Sequence, residues 1–147
     1  MKFFIIIVFC LYSVSSYSAE NNFFTKGKTL FDQKKITESK IEFEKSIVSD
    51  PKHVNSYIYL SKIFAESKKQ DEEKKNLTTA LLLNSKNEEA LYLMSLLNIK
   101  EGDYKSLEKN YAVLKLNCSK FCDQLDDLNK SIKKFNKSWA RQYLDKK

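Results

Sequence analysis

The chain has 147 residues, a formal net charge of +7, three cysteines, one histidine, two glycines and one proline. So little glycine and proline disfavours a turn-rich β fold, and the length suits one domain. No phosphate-binding loop, G-x-S-x-G pattern or metal-ligand cluster occurs.

The first element is a leader. Lys2 precedes an apolar run from Phe3 to Tyr12, followed by a small and polar stretch to Ala19. That run is much shorter than the roughly 20 residues that cross a bilayer as a helix, so residues 1–19 read as a cleaved signal peptide. Cleavage after Ser18 puts Ser16 and Ser18 at the two small positions, and cleavage after Ala19 is the alternative. Cys10 follows the bulky Phe9, which disfavours lipid attachment there. The expected location is a periplasm, with secretion as the second choice, and nucleic acid is excluded as a partner.

From Glu20 to about Ser119 the chain repeats three times at a spacing of 34 residues, over about 20–53, 54–87 and 88–119. Phe23, Tyr57 and Leu91 share one register; Gly27, Ser61 and Ser95 follow four residues later, then Leu30, Phe64 and Asn98. The second half of each repeat carries Phe43, Leu77 and Tyr111, then Ser46, Ala80 and Leu114. Asn98 departs from its series. Apolar residues at three- and four-residue steps predict helices near 21–33, 37–49, 54–67, 71–84, 88–100 and 104–117. Ile36, Ile41, Phe43 and Ile47, and then Leu77, Ala80, Leu81 and Leu83, are expected to be buried. Three pairs stacked in series would give a continuous core.

The period and residue order resemble the tetratricopeptide repeat (TPR) family, over about two-thirds of the chain. Glu101-Gly102-Asp103-Tyr104 matches the family's turn between paired helices, whereas Ser39, Glu73 and Leu107 stand where it prefers alanine. Leu107 is expected to force a one-residue shift in the third repeat. The resemblance implies an all-α helical-repeat solenoid of three helix pairs with a concave face lined by the first helices. On that face it places Asn21, Phe24, Lys28 and Phe31, then Asn55, Ile58, Lys62 and Ala65, then Glu89, Tyr92, Leu96 and Ile99. The family's lysine-asparagine-arginine clamp for chaperone tails is not matched at these positions. An amphipathic helix or extended peptide with apolar anchors and one or two acids is the expected partner. Ordinary packing, or cover by the last helix, is the alternative for Phe24, Tyr92 and Ile99.

His53 lies in the connection after Pro51, away from any acidic cluster, and reads as a solvated linker residue. Cys118 and Cys122 would meet an oxidising compartment, where a disulfide is the default. Their loop is small, worth about 2 kcal/mol in the chain-entropy treatment. A redox-active pair and a metal site are the other readings, although C-x3-C is neither the usual redox spacing nor, without histidine, a good zinc site.

A seventh helix follows within residues 120–147. Leu125, Leu128, Ile132, Phe135, Trp139 and Tyr143 mark its apolar face, as expected of a helix that caps the last repeat. Asp123, Asp126 and Asp127 at its start and Lys130 to Arg141 beyond suit the helix dipole. Its basic face is solvated in the first reading and touches an anionic membrane weakly in the second. The sequence thus predicts an exported, non-enzymatic protein-binding module, with no catalytic residue, metal or cofactor. A structural envelope subunit held by its convex face or last helix, and a thiol-redox protein using Cys118 and Cys122, are the other two readings.

Overall fold

The structure, a computed structural model, describes the backbone of residues 19–144 and the side chains of residues 22–137. The expected leader over 1–19 lies almost wholly outside the described residues. The described residues form seven helices: α1 (Ala19–Asp32), α2 (Ile36–Ser49), α3 (Val54–Glu66), α4 (Gln70–Leu83), α5 (Glu88–Glu101), α6 (Tyr104–Asn117) and α7 (Leu125–Leu144).

The bounds of α2, α4 and α6 recur at 34 residues without slip. The shift expected at Leu107 does not occur. Leu107 has no exposed surface at the register of the buried Ser39 and Glu73. It is accommodated because α7 supplies Leu128 and Ile132 to the same cluster.

The turn within each repeat is also the same. Lys34, Lys68 and Gly102 take left-handed φ angles of 61°, 56° and 72°. In each repeat the amide after the left-handed residue reaches back to a carbonyl five residues earlier: Lys35 to Leu30, Lys69 to Phe64 and Asp103 to Asn98. This pattern satisfies carbonyls that a helix end leaves open, and glycine suits it because its lack of a Cβ removes the steric penalty. Lys68→Gly should therefore raise stability by about 0.5–1 kcal/mol, the left-handed penalty less glycine's entropy cost. An unmoved or lower denaturation midpoint would contradict this.

Packing divides the described residues into two compact units, one up to Leu60 and one from Ser61 onward. In the first, α1 and α2 approach closely at Gly27. A Cβ there would lie 2.8 Å from the Phe43 ring, and Ser39 Oγ donates 2.8 Å to the Gly27 carbonyl. Phe43 has no exposed surface, and its ring centroid is 5.7 Å from Phe24 and 5.0 Å from Tyr59. Glu42, on the same face of α2, receives Lys26 at 3.1 Å and Lys45 at 2.9 Å. The Lys45 hydrogen bond, then that of Lys26, holds its carboxyl below the usual range against the opposing effect of burial. Ile41 is 46% exposed, contrary to expectation. The buried stripe is Ser39, Glu42, Phe43 and Ser46, and two residues before Phe43 the helix has turned about 200° away.

In the second unit Leu77, Met94 and Leu97 join α4 to α5. Leu91, Leu107, Leu114, Leu128 and Ile132 join α5, α6 and α7, with Tyr104 stacked on Phe135 at 3.4 Å. The expected α7 face is therefore seated through Leu125, Leu128, Ile132 and Phe135. The side chains of Trp139 and Tyr143 lie outside the described residues. Leu83 is 39% exposed rather than buried, because α4 ends on it and the chain turns away. Glu73 is buried with Lys100 Nζ at 3.9 Å, and burial pushes its carboxyl up.

Candidate interaction surface

The side chains expected on the first-helix face are held in different ways. In the first unit Phe24 is half-buried, with its centroid 4.7 Å from His53 and 5.6 Å from Tyr59. Phe31 meets Tyr59 edge-on at 5.4 Å. Lys28 and Asn55 are exposed. Ile58 cannot present an anchor, because it has no exposed surface. The side chain of Asn21 lies outside the described residues.

In the second unit Lys62 forms an ion pair with Glu89, two positions that the resemblance placed on one face. Ala65 is half-buried. Tyr92, Leu96 and Ile99 are half-buried against the α5–α6–α7 cluster, and Tyr92 lies 5.6 Å from Phe121. Apolar packing thus occupies part of each of these side chains.

The connections between repeats explain several polar residues. Asp50 and Asn84, one period apart, accept from Lys52 N at 2.8 Å and Lys86 N at 3.1 Å. His53 and Asn87, again one period apart, sit at helix starts. Asn87 Oδ1 accepts from Ala90 N at 2.9 Å, and His53 Nδ1 accepts from Ser56 N at 3.3 Å. His53 is therefore not a solvated linker residue; it is a half-buried cap, 2.8 Å from Ser56 Oγ. Burial lowers its pKa against the pull of Asp50, which favours the neutral ring that can accept a hydrogen bond.

The third connection departs from this scheme. At the register of Asp50 and Asn84 stands Cys118, and no side-chain oxygen is available there. Instead Glu88, in the first turn of α5, reaches across. Its Oε2 accepts from the amides of Ser119 at 2.8 Å, Lys120 at 2.8 Å and Phe121 at 3.0 Å. Its Oε1 accepts from Ser119 Oγ at 2.7 Å. These hydrogen bonds, led by the Ser119 hydroxyl, lower its carboxyl pKa to about 2. The three amides belong to the residues that Cys118 and Cys122 enclose. The two sulfurs lie 2.24 Å apart, at bonding distance, with Cα atoms 5.3 Å apart. Sequence reasoning missed Glu88; the loss of a side-chain oxygen at Cys118, one period after Asp50 and Asn84, is the signal that could have marked this connection.

Among the described residues no group of three or more His, Cys, Asp or Glu side chains is placed to hold a metal. No helix among them is long and apolar enough to cross a membrane.

No protein-family model matches the chain, and no curated protein matches it. Solved structures do. The chain is similar to the first TPR domain of Spaghetti (RPAP3), solved bound to an HSP90 peptide, at 16% identity and TM-score 0.71 over 80% of this chain and 93% of that one. It is similar to the Arabidopsis OM64 TPR domain at 15% identity and TM-score 0.72, over 82% of this chain and 99% of that one. The Sgt2 TPR domain from Aspergillus fumigatus matches at 13% identity and TM-score 0.69, over 82% and 83%. With all-helical described residues and turns recurring at 34, the fold is that of a TPR-like helical repeat.

Proposed function

We propose that this chain is an exported, non-enzymatic interaction module, an adaptor or assembly factor that binds a peptide or helix of a partner protein through the first helices of its repeats. The carrying observation is the TPR-like fold, which in the RPAP3 domain is seen with a bound peptide. The apolar run after Lys2 supports export, to a periplasm or a secreted space. Lys28 is an exposed cation on α1 and, unlike Lys26, forms no ion pair among the described residues, so it would orient an acid on the ligand. Catalysis forms no part of this reading.

The sulfur separation supports a Cys118–Cys122 disulfide, and the enclosed amides holding Glu88 favour a structural crosslink over thiol exchange. The test of function is affinity capture from the native envelope fraction with the mature protein and a folded Lys28→Glu, Asn55→Leu variant, both positions being exposed. A partner recovered by the parent should be lost by the variant. Equal recovery by both would move binding off α1 and the start of α3.

A further inference from the structure

The second helices of the repeats carry a feature that the first-helix face does not explain. Val48, Leu82 and Leu116 are 83%, 80% and 84% exposed, and they occupy one register of the 34-residue period. A single exposed leucine needs no cause, but large aliphatics exposed at the same position of every repeat do.

In the second compact unit Leu82 stands beside a hollow of about 410 Å³ between α4 and α6. Leu81 and Met94 give it an apolar lining, and Asn98 lines it as well. The hollow follows from the sequence, since Asn98 stands where the other repeats have Leu30 and Phe64, and a short amide leaves unfilled the space of a larger side chain. Asn98 is 2% exposed and its Nδ2 has no acceptor among the described residues. Such a buried donor is costly until something accepts from it.

The charged residues lining the hollow are Lys74, Asp103 and Lys109. Lys74 is held by Glu101 at 2.7 Å, and Asp103 accepts from Ser106 N at 3.1 Å. Among the described residues this leaves Lys109 as the lining charge that forms no ion pair.

We infer that this hollow docks a segment of a partner protein that inserts one aliphatic side chain beside Leu82 and sets a carboxylate against Lys109. The aliphatic group gives affinity by leaving water, and the carboxylate fixes orientation and excludes basic partners. The lining comes from α4 and α6 and, on α5, from Met94 and Asn98, none of which is a position of the first-helix reading, so the inference stands or falls independently of it.

The probe is an acetylated, amidated octapeptide with one leucine among alanines and glutamates, titrated into the isotope-labelled protein and followed by amide chemical shifts. Two control peptides replace the leucine by alanine, or every glutamate by glutamine. The leucine peptide should give saturable shifts around Thr78, Leu82, Asn98 and Lys109. The alanine control should bind about tenfold more weakly, equivalent to 1.4 kcal/mol. The glutamine control should also weaken, and Lys109→Glu should abolish saturable binding. Asn98→Phe, which restores the ring of the preceding repeat, should remove the shifts. Should that variant fail to fold, the exposed Lys109→Glu carries the test. Equal binding of the leucine and alanine peptides, or shifts spread over lysines throughout the protein, would overturn the inference.

Discussion

Replacing Phe43 by alanine should destabilise the protein by about 3–5 kcal/mol, the range for a fully buried aromatic. The ring has no exposed surface and is contacted by Gly27, Phe24 and Tyr59, so truncation leaves a cavity that three neighbours cannot easily close. A domain holds only about 5–15 kcal/mol in total, so the first compact unit should lose its cooperative transition. The companion change sharpens the argument. Gly27→Ala should cost about 1–3 kcal/mol alone, because its methyl would press on a ring that has little room to retreat. In a Phe43→Leu background the same change should cost much less, since the obstructing ring atoms are gone. Equal costs in both backgrounds, read from denaturant unfolding, would refute the close approach of α1 and α2.

The second large effect concerns the cap. Leu128→Ala should cost about 2–5 kcal/mol, because this side chain is 1% exposed inside the cluster that joins α5, α6 and α7. The connection before α7 should also make the cap sensitive to acid. Glu88 titrates near 2 in the folded protein against an ordinary 4.5, so its stabilisation is complete above the ordinary value. It is lost as pH falls from about 4.5 toward 2, when the carboxylate gains a proton and stops accepting from Ser119, Lys120 and Phe121. Glu88→Gln should lower stability at neutral pH and flatten the acid limb of the stability curve relative to the parent. An acid limb of unchanged slope would show that Glu88 does not hold the connection. Glu42 and Asp103, whose carboxyls are also held low, add slope of the same sign in both proteins, and Glu73, pushed up by burial, opposes it.

Much of the fold was legible because TPR-like repeats write each element three times. Agreement among Phe23, Tyr57 and Leu91, or Phe43, Leu77 and Tyr111, fixes phase better than any local propensity. Helix existence and bounds followed closely. Exposure within helices did not. Ile41 is apolar and exposed while Glu42 beside it is buried, because two lysines hold Glu42 Oε1 and the helix turns Ile41 outward. Burial on the candidate surface was only partly legible for the same kind of reason. Phe24 and Tyr92 sit at the expected positions on the first helices, yet partners distant in sequence, Tyr59 and Phe121, cover part of their rings. Glu88 was missed because its role exists only through residues more than 30 positions away. The hollow beside Leu82 depends on volume, which a pattern of apolar letters does not record.

The matching bounds of α2, α4 and α6 have a consequence for insertions and deletions. Losing one residue within a helix turns everything beyond it by about 100° relative to what precedes it. The buried stripe would then face water, so single-codon deletions inside helices should be poorly tolerated. Removing or duplicating a whole 34-residue block between equivalent turns keeps every later side chain in phase. Length variation in such a chain is therefore expected to come in whole repeats.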